Sequence, residues 1–117
     1  MIRVYLVNED NRGCIFAIEK DGKEIGILIY TKEGMKRGGH YHKSKQHTII
    51  LKGSFIVKTP NWEKVYSDGD HIVIDANIPH LFTALEDTLA FEYLEGEIER
   101  TVYPEYRKEV EECIWEY

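Results

Sequence analysis

Residues 38–46 of this 117-residue chain read Gly-Gly-His-Tyr-His-Lys-Ser-Lys-Gln and give the strongest indication of its fold. Side chains two positions apart on a strand point to the same face, so His40 and His42 point together and Tyr41 points away. Two imidazoles on one face of a strand can chelate a divalent ion at two points. The stretch therefore predicts a strand that carries part of a metal site, with Gln46 following four residues after His42.

Short strand-like runs separated by turn signals lie on both sides of this stretch. Asp21-Gly22 stands between the runs 14–19 and 23–31 and predicts a two-residue hairpin, because glycine tolerates the positive φ of such a turn. Residues 80–94 predict a second hairpin. About ten short strands at this spacing predict a closed antiparallel barrel or a jelly roll.

Residues 104–116 depart from the β pattern. Pro104 suits the first turn of a helix. Apolar residues then recur at the spacing of one face of an amphipathic helix: Tyr106, Val110, Cys113, Ile114 and Tyr117. The pattern predicts a C-terminal helix over 104–116, lying on the outside of the barrel or against a partner subunit.

Two segments of the chain resemble the paired motifs of the cupin superfamily. Residues 38–53 resemble the first motif, in which His-x-His is followed at short spacing by Glu and then by Gly, here Gly53. Residues 69–85 resemble the second motif, whose final histidine, here His80, completes the site. The resemblance implies an all-β fold for residues 1–117. The implied fold is a single small RmlC-like cupin β-barrel (double-stranded β-helix or jelly roll) with a short C-terminal α-helix.

The resemblance also implies a metal site made of His40, His42, His80 and the residue at the usual Glu position, here Gln46. Three histidines and an amide oxygen can bind a divalent transition metal: Fe, Mn, Ni, Zn or Cu. Without the carboxylate the site is one charge more positive. An amide also cannot act as a general base.

The second motif departs from the family pattern at three positions, where Asp75 replaces Pro, Asn77 replaces Gly and Ala84 replaces Asn. Glu92, in the predicted strand 88–94, is a candidate substrate-binding residue and offers a replacement for the carboxylate missing at the first motif. This role requires its side chain, rather than those of its two aromatic neighbours, to face the interior.

A narrower resemblance concerns the residues around the first histidine pair. The segment 37–43, Arg-Gly-Gly-His-Tyr-His-Lys, is similar to one found in cupins that isomerise or epimerise nucleotide-linked keto sugars, where the histidine pair transfers protons without metal. This resemblance implies that Arg37 and Lys43 bind an anionic substrate. It leaves metal-free acid–base chemistry open beside metal binding.

The distribution of charge supports an anionic ligand and excludes some partners. The net charge is −6, yet residues 34–62 contain six basic residues and no acidic residue. A basic segment in an acidic protein favours a small anionic ligand, while the acidic remainder argues against nucleic acid.

No apolar run is long enough to span a membrane. We expect a cytoplasmic protein. The single glutamine among plentiful Glu, Lys and Ile is typical of proteins from hot environments.

These observations leave three functions open. The first is a metal-dependent enzyme, an oxygenase, isomerase or decarboxylase acting on a small anionic molecule. The second is the metal-free sugar isomerase or epimerase, and the third is a non-catalytic module that binds a small ligand or metal.

The apolar N-terminal strand needs covering, so we expect a homodimer paired through edge strands.

Overall fold

The computed structural model describes residues 1–114. Within these residues it contains eleven strands and one helix: β1 (Ile2–Asp10), β2 (Gly13–Lys20), β3 (Lys23–Thr31), β4 (Lys36–His42), β5 (Gln46–Lys52), β6 (Ser54–Lys58), β7 (Glu63–Ser67), β8 (His71–Ile74), β9 (His80–Ala84), β10 (Thr88–Leu94), β11 (Arg100–Val102) and α1 (Pro104–Glu112).

The strands form two antiparallel sheets. The six-stranded sheet has the order β1-β2-β3-β10-β5-β8, and the five-stranded sheet has the order β11-β4-β9-β6-β7. The predicted all-β jelly roll with a short C-terminal helix is confirmed. Strand β4, which carries His40 and His42, lies between β11 and β9 in the five-stranded sheet.

The core fills the space between the two sheets. In β8 the alternation of exposed and buried residues is complete, with Ile72 and Ile74 buried and His71 and Val73 exposed. The same alternation in the neighbouring strands brings inward a cluster of buried apolar side chains: Ile50, Phe55, Val57, Ile72, Ile74, Phe82, Ala84 and Ala90. Apolar residues at every second position therefore hold the two sheets face to face.

One of the two predicted hairpins is confirmed and the other is wrong. Asp21 and Gly22 have φ values of 53° and 81° and join β2 to its antiparallel neighbour β3, as the Asp-Gly signal predicts. In contrast, β9 and β10 belong to different sheets. The link between them crosses to the six-stranded sheet, where the Asp87 carboxylate accepts hydrogen bonds from the Glu33 backbone N–H at 2.9 Å and from the Tyr30 hydroxyl at 3.1 Å.

Helix α1 begins at Pro104 as predicted and ends at Glu112. Its buried residues, Tyr106 and Val110, pack against Leu81 of β9 on the outer side of the five-stranded sheet. Cys113 follows as a turn, and the predicted end at residue 116 lies outside the described residues. Among residues 1–114 no helix is long and apolar enough to cross a membrane.

Candidate metal centre

The three histidines of the two motifs meet inside the barrel. His40 and His42 lie on β4, and His80 is the first residue of β9, directly opposite His40 in the antiparallel register. The ring centroid of His40 lies 4.8 Å from that of His42 and 5.0 Å from that of His80. One ligand atom from each ring can be chosen so that all three lie within 4.8 Å of one another. The structure thus brings together the three residues that the sequence predicts for the site.

Two glycines allow β4 to approach its neighbours closely. Gly38 has a φ of 97°, and a Cβ atom there would lie 2.7 Å from the His80 carbonyl oxygen. Gly39 has a φ of 77°, and a Cβ atom there would lie 2.6 Å from the Cα of Arg107 on α1. The pairing of β4 with β9 shifts register between Gly38 and His40. The glycines are required because side chains at these positions would separate the histidine-bearing strand from β9 and α1.

Backbone carbonyls fix the tautomers of two of the rings. The Nδ1–H of His42 donates to the Glu99 carbonyl at 3.2 Å, and the Nδ1–H of His80 donates to the Ile78 carbonyl at 3.0 Å. A carbonyl oxygen can only accept, so the proton of each neutral ring is on Nδ1 and the lone pair is on Nε2. Metal-binding histidines are commonly oriented in this way.

Gln46 adds a third acceptor to the two Nε2 atoms. Its Nε2 donates to the hydroxyl of Thr48 at 3.2 Å and to the carboxylate of Glu92 at 3.0 Å, so its Oε1 is turned away from these partners. The Nε2 atoms of His42 and His80 and the Oε1 of Gln46 are buried without a hydrogen-bond partner among the described residues. Leaving three buried acceptors without donors is costly, and a cation satisfies all three. The donor set therefore fits a divalent metal.

Burial makes the imidazoles ready to act as ligands. Burial lowers the pKa of His40 far below its usual value, and the neighbouring His80 and His42 lower it further. Burial also lowers the pKa of His80 to about 4 and that of His42 in the same direction. The rings are consequently neutral at neutral pH, the form that binds a metal.

Glu92 faces the interior, as its replacement role requires. Burial raises the pKa of this carboxyl to about 7, against the opposing effects of the Thr48 hydrogen bond and of the charges on Arg37 and Arg100. It accepts a hydrogen bond from the amide nitrogen of Gln46 at 3.0 Å and lines both cavities of the site. Its position therefore lets it orient Gln46.

The site lies where two cavities meet. An outer cavity of about 540 Å³ is lined by parts of β3, β10, β11 and the 95–99 loop, and an inner cavity of about 160 Å³ extends into the barrel. Ile27, His40, Glu92 and Arg100 line both. A small molecule in the outer cavity would therefore reach the histidines directly.

The two basic residues predicted to bind a substrate lie in different places. Arg37 is buried at the inner cavity, where it donates to the Thr31 hydroxyl at 3.1 Å and to the Tyr30 carbonyl at 3.0 Å. Burial and the charge of Arg12 lower its pKa to about 10, so it remains charged at neutral pH. Lys43 is exposed beyond the end of β4 and is not among the residues that line either cavity. The structure brings Arg37, but not Lys43, to the histidines.

Sequence reasoning missed Arg100. This residue lies opposite His42 in the pairing of β11 with β4, and it lines both cavities. Its positive charge lowers the pKa values of His40, His42 and Glu92. Strand β11 has only three residues and no apolar alternation, so nothing in the sequence indicated its pairing with β4.

The chain is similar in structure to several known proteins. No family model matches it, and neither does any curated protein. The capsular polysaccharide assembling protein CapF from Staphylococcus aureus matches with a TM-score of 0.70 and 16% identity over 83% of this chain. The match covers 30% of CapF, so this chain spans under a third of its length.

Two further structures match over most of their own length. KdgF from Halomonas sp. has a TM-score of 0.66 and 16% identity, covering 79% of this chain and 88% of that one. An RmlC-like cupin from Shewanella frigidimarina has a TM-score of 0.64 and 13% identity, covering 85% and 87%. At these identities the likeness concerns the fold.

Proposed function

The chain has the RmlC-like cupin fold, and on that premise we propose that it binds a divalent transition metal through His40, His42 and His80, with Gln46 as the fourth ligand. The observation that carries the proposal is the group of buried acceptors without donors: His42 Nε2, His80 Nε2 and Gln46 Oε1. Imidazole and amide ligands suit Fe, Mn, Ni, Zn and Cu, and the donor set does not select among them.

We further propose that the chain is an enzyme acting on a small anionic molecule in the outer cavity. A volume of about 540 Å³ is within the usual range for small-molecule sites. A bound metal would polarise a carbonyl or carboxylate group or activate dioxygen. Arg100 would hold an anionic group of the substrate beside His42, and Arg37 would contribute positive charge from the inner cavity. Lys43, at the end of β4, would act only through its more distant charge.

The proposal is tested by elemental analysis of the untagged protein after brief dialysis. The His42→Ala variant removes a ligand, and Tyr41→Ala is its matched control, because Tyr41 lies on the opposite face of β4. We expect close to one metal per barrel site in the wild type and in Tyr41→Ala, with this equivalent lost in His42→Ala. Equal metal contents in His42→Ala and the wild type would contradict the proposal.

A second candidate function is metal-free proton transfer on a nucleotide-linked keto sugar. The observation that favours it is the likeness to CapF, a protein described by its part in capsular polysaccharide assembly. Against it, burial lowers the pKa values of all three histidines, whereas general acid–base catalysis works best with a pKa near the working pH. Activity that survives chelation would favour this candidate. Ligand binding without turnover would instead indicate a non-catalytic module.

We also propose that the chain forms a homodimer. The edge strand β1 exposes Ile2, Val4 and Leu6, each at least half accessible, on one face of the strand. A second copy would cover this apolar edge. Light scattering of the wild type beside Val4→Lys should show a dimer that the charged variant converts to a monomer. A monomeric wild type at micromolar concentration would refute the dimer.

A further inference from the structure

A second histidine cluster lies on the opposite face of β5 from Gln46. His47 Nδ1 lies 2.7 Å from His71 Nε2, and His47 Nε2 makes a short hydrogen bond to the Glu95 carboxylate. The ring of Tyr93 stacks in parallel on His47, with centroids 4.6 Å apart and an interplanar angle of 3°. These residues belong to β5, β8 and β10 and the residue that follows β10. Tyr93 and Glu95 also line the outer cavity, but none of the four residues belongs to the histidine group of the barrel site.

The hydrogen bonds define where the protons are. The Glu95 carboxylate accepts a hydrogen bond from His47 Nε2–H, and this bond lowers the pKa of Glu95. In the neutral His47 ring the lone pair is then on Nδ1. His71 must then donate its Nε2–H to that lone pair. A single proton thus stands between two imidazole nitrogens, in the place where a metal ion could replace it.

We propose that His47 and His71 form a surface site for a divalent ion of the Zn²⁺ or Cu²⁺ type, with Glu95 orienting His47 from the second coordination shell. A carboxylate behind a histidine fixes its tautomer and makes it a stronger ligand. Imidazole pairs suit these two ions well. Water or a group from another molecule would complete the coordination.

The distance between His47 Nδ1 and His71 Nε2 needs only a small increase for both atoms to bind one ion. With zinc–nitrogen bonds of about 2.0–2.1 Å and a tetrahedral angle, two ligand nitrogens lie roughly 3.3 Å apart. The present separation is 2.7 Å, so the rings must move apart by roughly 0.6 Å to reach that geometry. The side chain of His47 is only 14% exposed and is held by Tyr93 and Glu95, whereas His71 is exposed at the start of β8 and free to shift. One ligand is thus pre-organised and the other is adjustable.

The test is a titration of the untagged full chain with ZnCl₂ as the only probe. Binding is measured by calorimetry and by equilibrium dialysis. The variants are His71→Ala, which removes a ligand, and Glu95→Gln, which keeps the side-chain length but removes the charge. Val73→Ala is the matched control, because Val73 is exposed on the same face of β8. His42→Ala separates the surface site from the barrel site.

We expect the wild type, Val73→Ala and Glu95→Gln to bind two equivalents, with the surface equivalent in Glu95→Gln weaker by about 10- to 100-fold. His71→Ala should bind only the barrel equivalent, and His42→Ala only the surface one. Zinc should also shift the ¹⁵N resonances of His47 Nδ1 and His71 Nε2. If His71→Ala binds as many equivalents as the wild type with unchanged affinities, the surface site does not exist. If the barrel proposal alone is wrong, the wild type binds one equivalent, which His71→Ala loses and His42→Ala retains.

Discussion

Acid should destabilise the metal-free chain through His80. Burial lowers the pKa of this ring to about 4 in the folded state, from an ordinary value of 6.5 in the unfolded chain. Between these values the unfolded state binds a proton that the folded state does not bind. Unfolding therefore becomes more favourable as pH falls. The contribution of His80 to stability is fully present above pH 6.5 and is lost progressively down to pH 4.

The size of the effect follows from the difference between the two pKa values. At about 1.4 kcal/mol per pH unit, the shift of His80 corresponds to a loss of about 3 kcal/mol. This is a large part of the 5–15 kcal/mol by which domains are ordinarily stable. Glu92 acts in the opposite direction, because its pKa is raised to about 7 and its contribution is lost as pH rises from 4.5. The wild-type curve alone therefore mixes the effects of His80 and Glu92 with those of His40 and His42, whose pKa values burial also lowers.

The assay compares urea unfolding of the wild type and His80→Gln at pH steps from 7.5 to 4, with a chelator present throughout. The contributions of Glu92, His40 and His42 are present in both proteins, so the difference between the two isolates the contribution of His80. We expect the wild type to lose about 3 kcal/mol relative to the variant between pH 6.5 and 4. A difference that is independent of pH would show that burial does not hold His80 neutral in the folded state.

Three further predictions concern the strands around the site. Gly38→Ala should lower the free energy of unfolding by about 1–3 kcal/mol and lower the metal content. Residue 38 has a φ of 97°, which strains alanine, and the added Cβ would lie 2.7 Å from the His80 carbonyl oxygen. Gln46→Glu should tighten metal binding yet destabilise the metal-free chain at pH 8, because it places a second carboxylate about 3.0 Å from that of Glu92. Ile72→Ala, at a fully buried core position, should lower the free energy of unfolding by about 2–5 kcal/mol in urea titrations.

Each of these substitutions has a control. Gly22→Ala has a similar positive φ but open space around the added Cβ, so it should leave the metal content unchanged. Gln46→Ala removes the amide oxygen without adding charge and should weaken metal binding. Val73→Ala, exposed beside Ile72, should cost less than about 0.5 kcal/mol. Equal metal affinity in Gln46→Glu and Gln46→Ala would show that position 46 does not contact the ion.

The sequence predicted those elements whose residues show a regular apolar alternation or a specific turn pair. The first motif correctly placed Gln46 inside the barrel, and Asp21-Gly22 correctly marked the hairpin between β2 and β3. Strand β7 carries no such signal, because most of its residues are exposed and show no apolar alternation. The error at residues 80–94 arose because a short link looks the same in sequence whether it returns to its own sheet or crosses to the other one.

The histidine positions were predictable, while the surroundings that define the chemistry were not. Strand alternation placed His40 and His42 on one face, and the resemblance to the paired cupin motifs implied that His80 completes the group, as the structure has it. The carbonyl partners of His42 and His80, and the approach of Arg100, depend on loops and on a strand pairing that leave no periodic signal in the sequence. The pairing of His47 with His71 depends likewise on the register between β5 and β8.

The position of the histidines in the strand order also has a kinetic consequence. His40 and His80 are partners across β4 and β9, although they are 40 positions apart in the chain. An ion shared between them would close a loop of that length, as a removable cross-link does. Because β4 and β9 could not separate until the ion left, metal supply would govern how long each folded molecule lasts far more than how fast it forms.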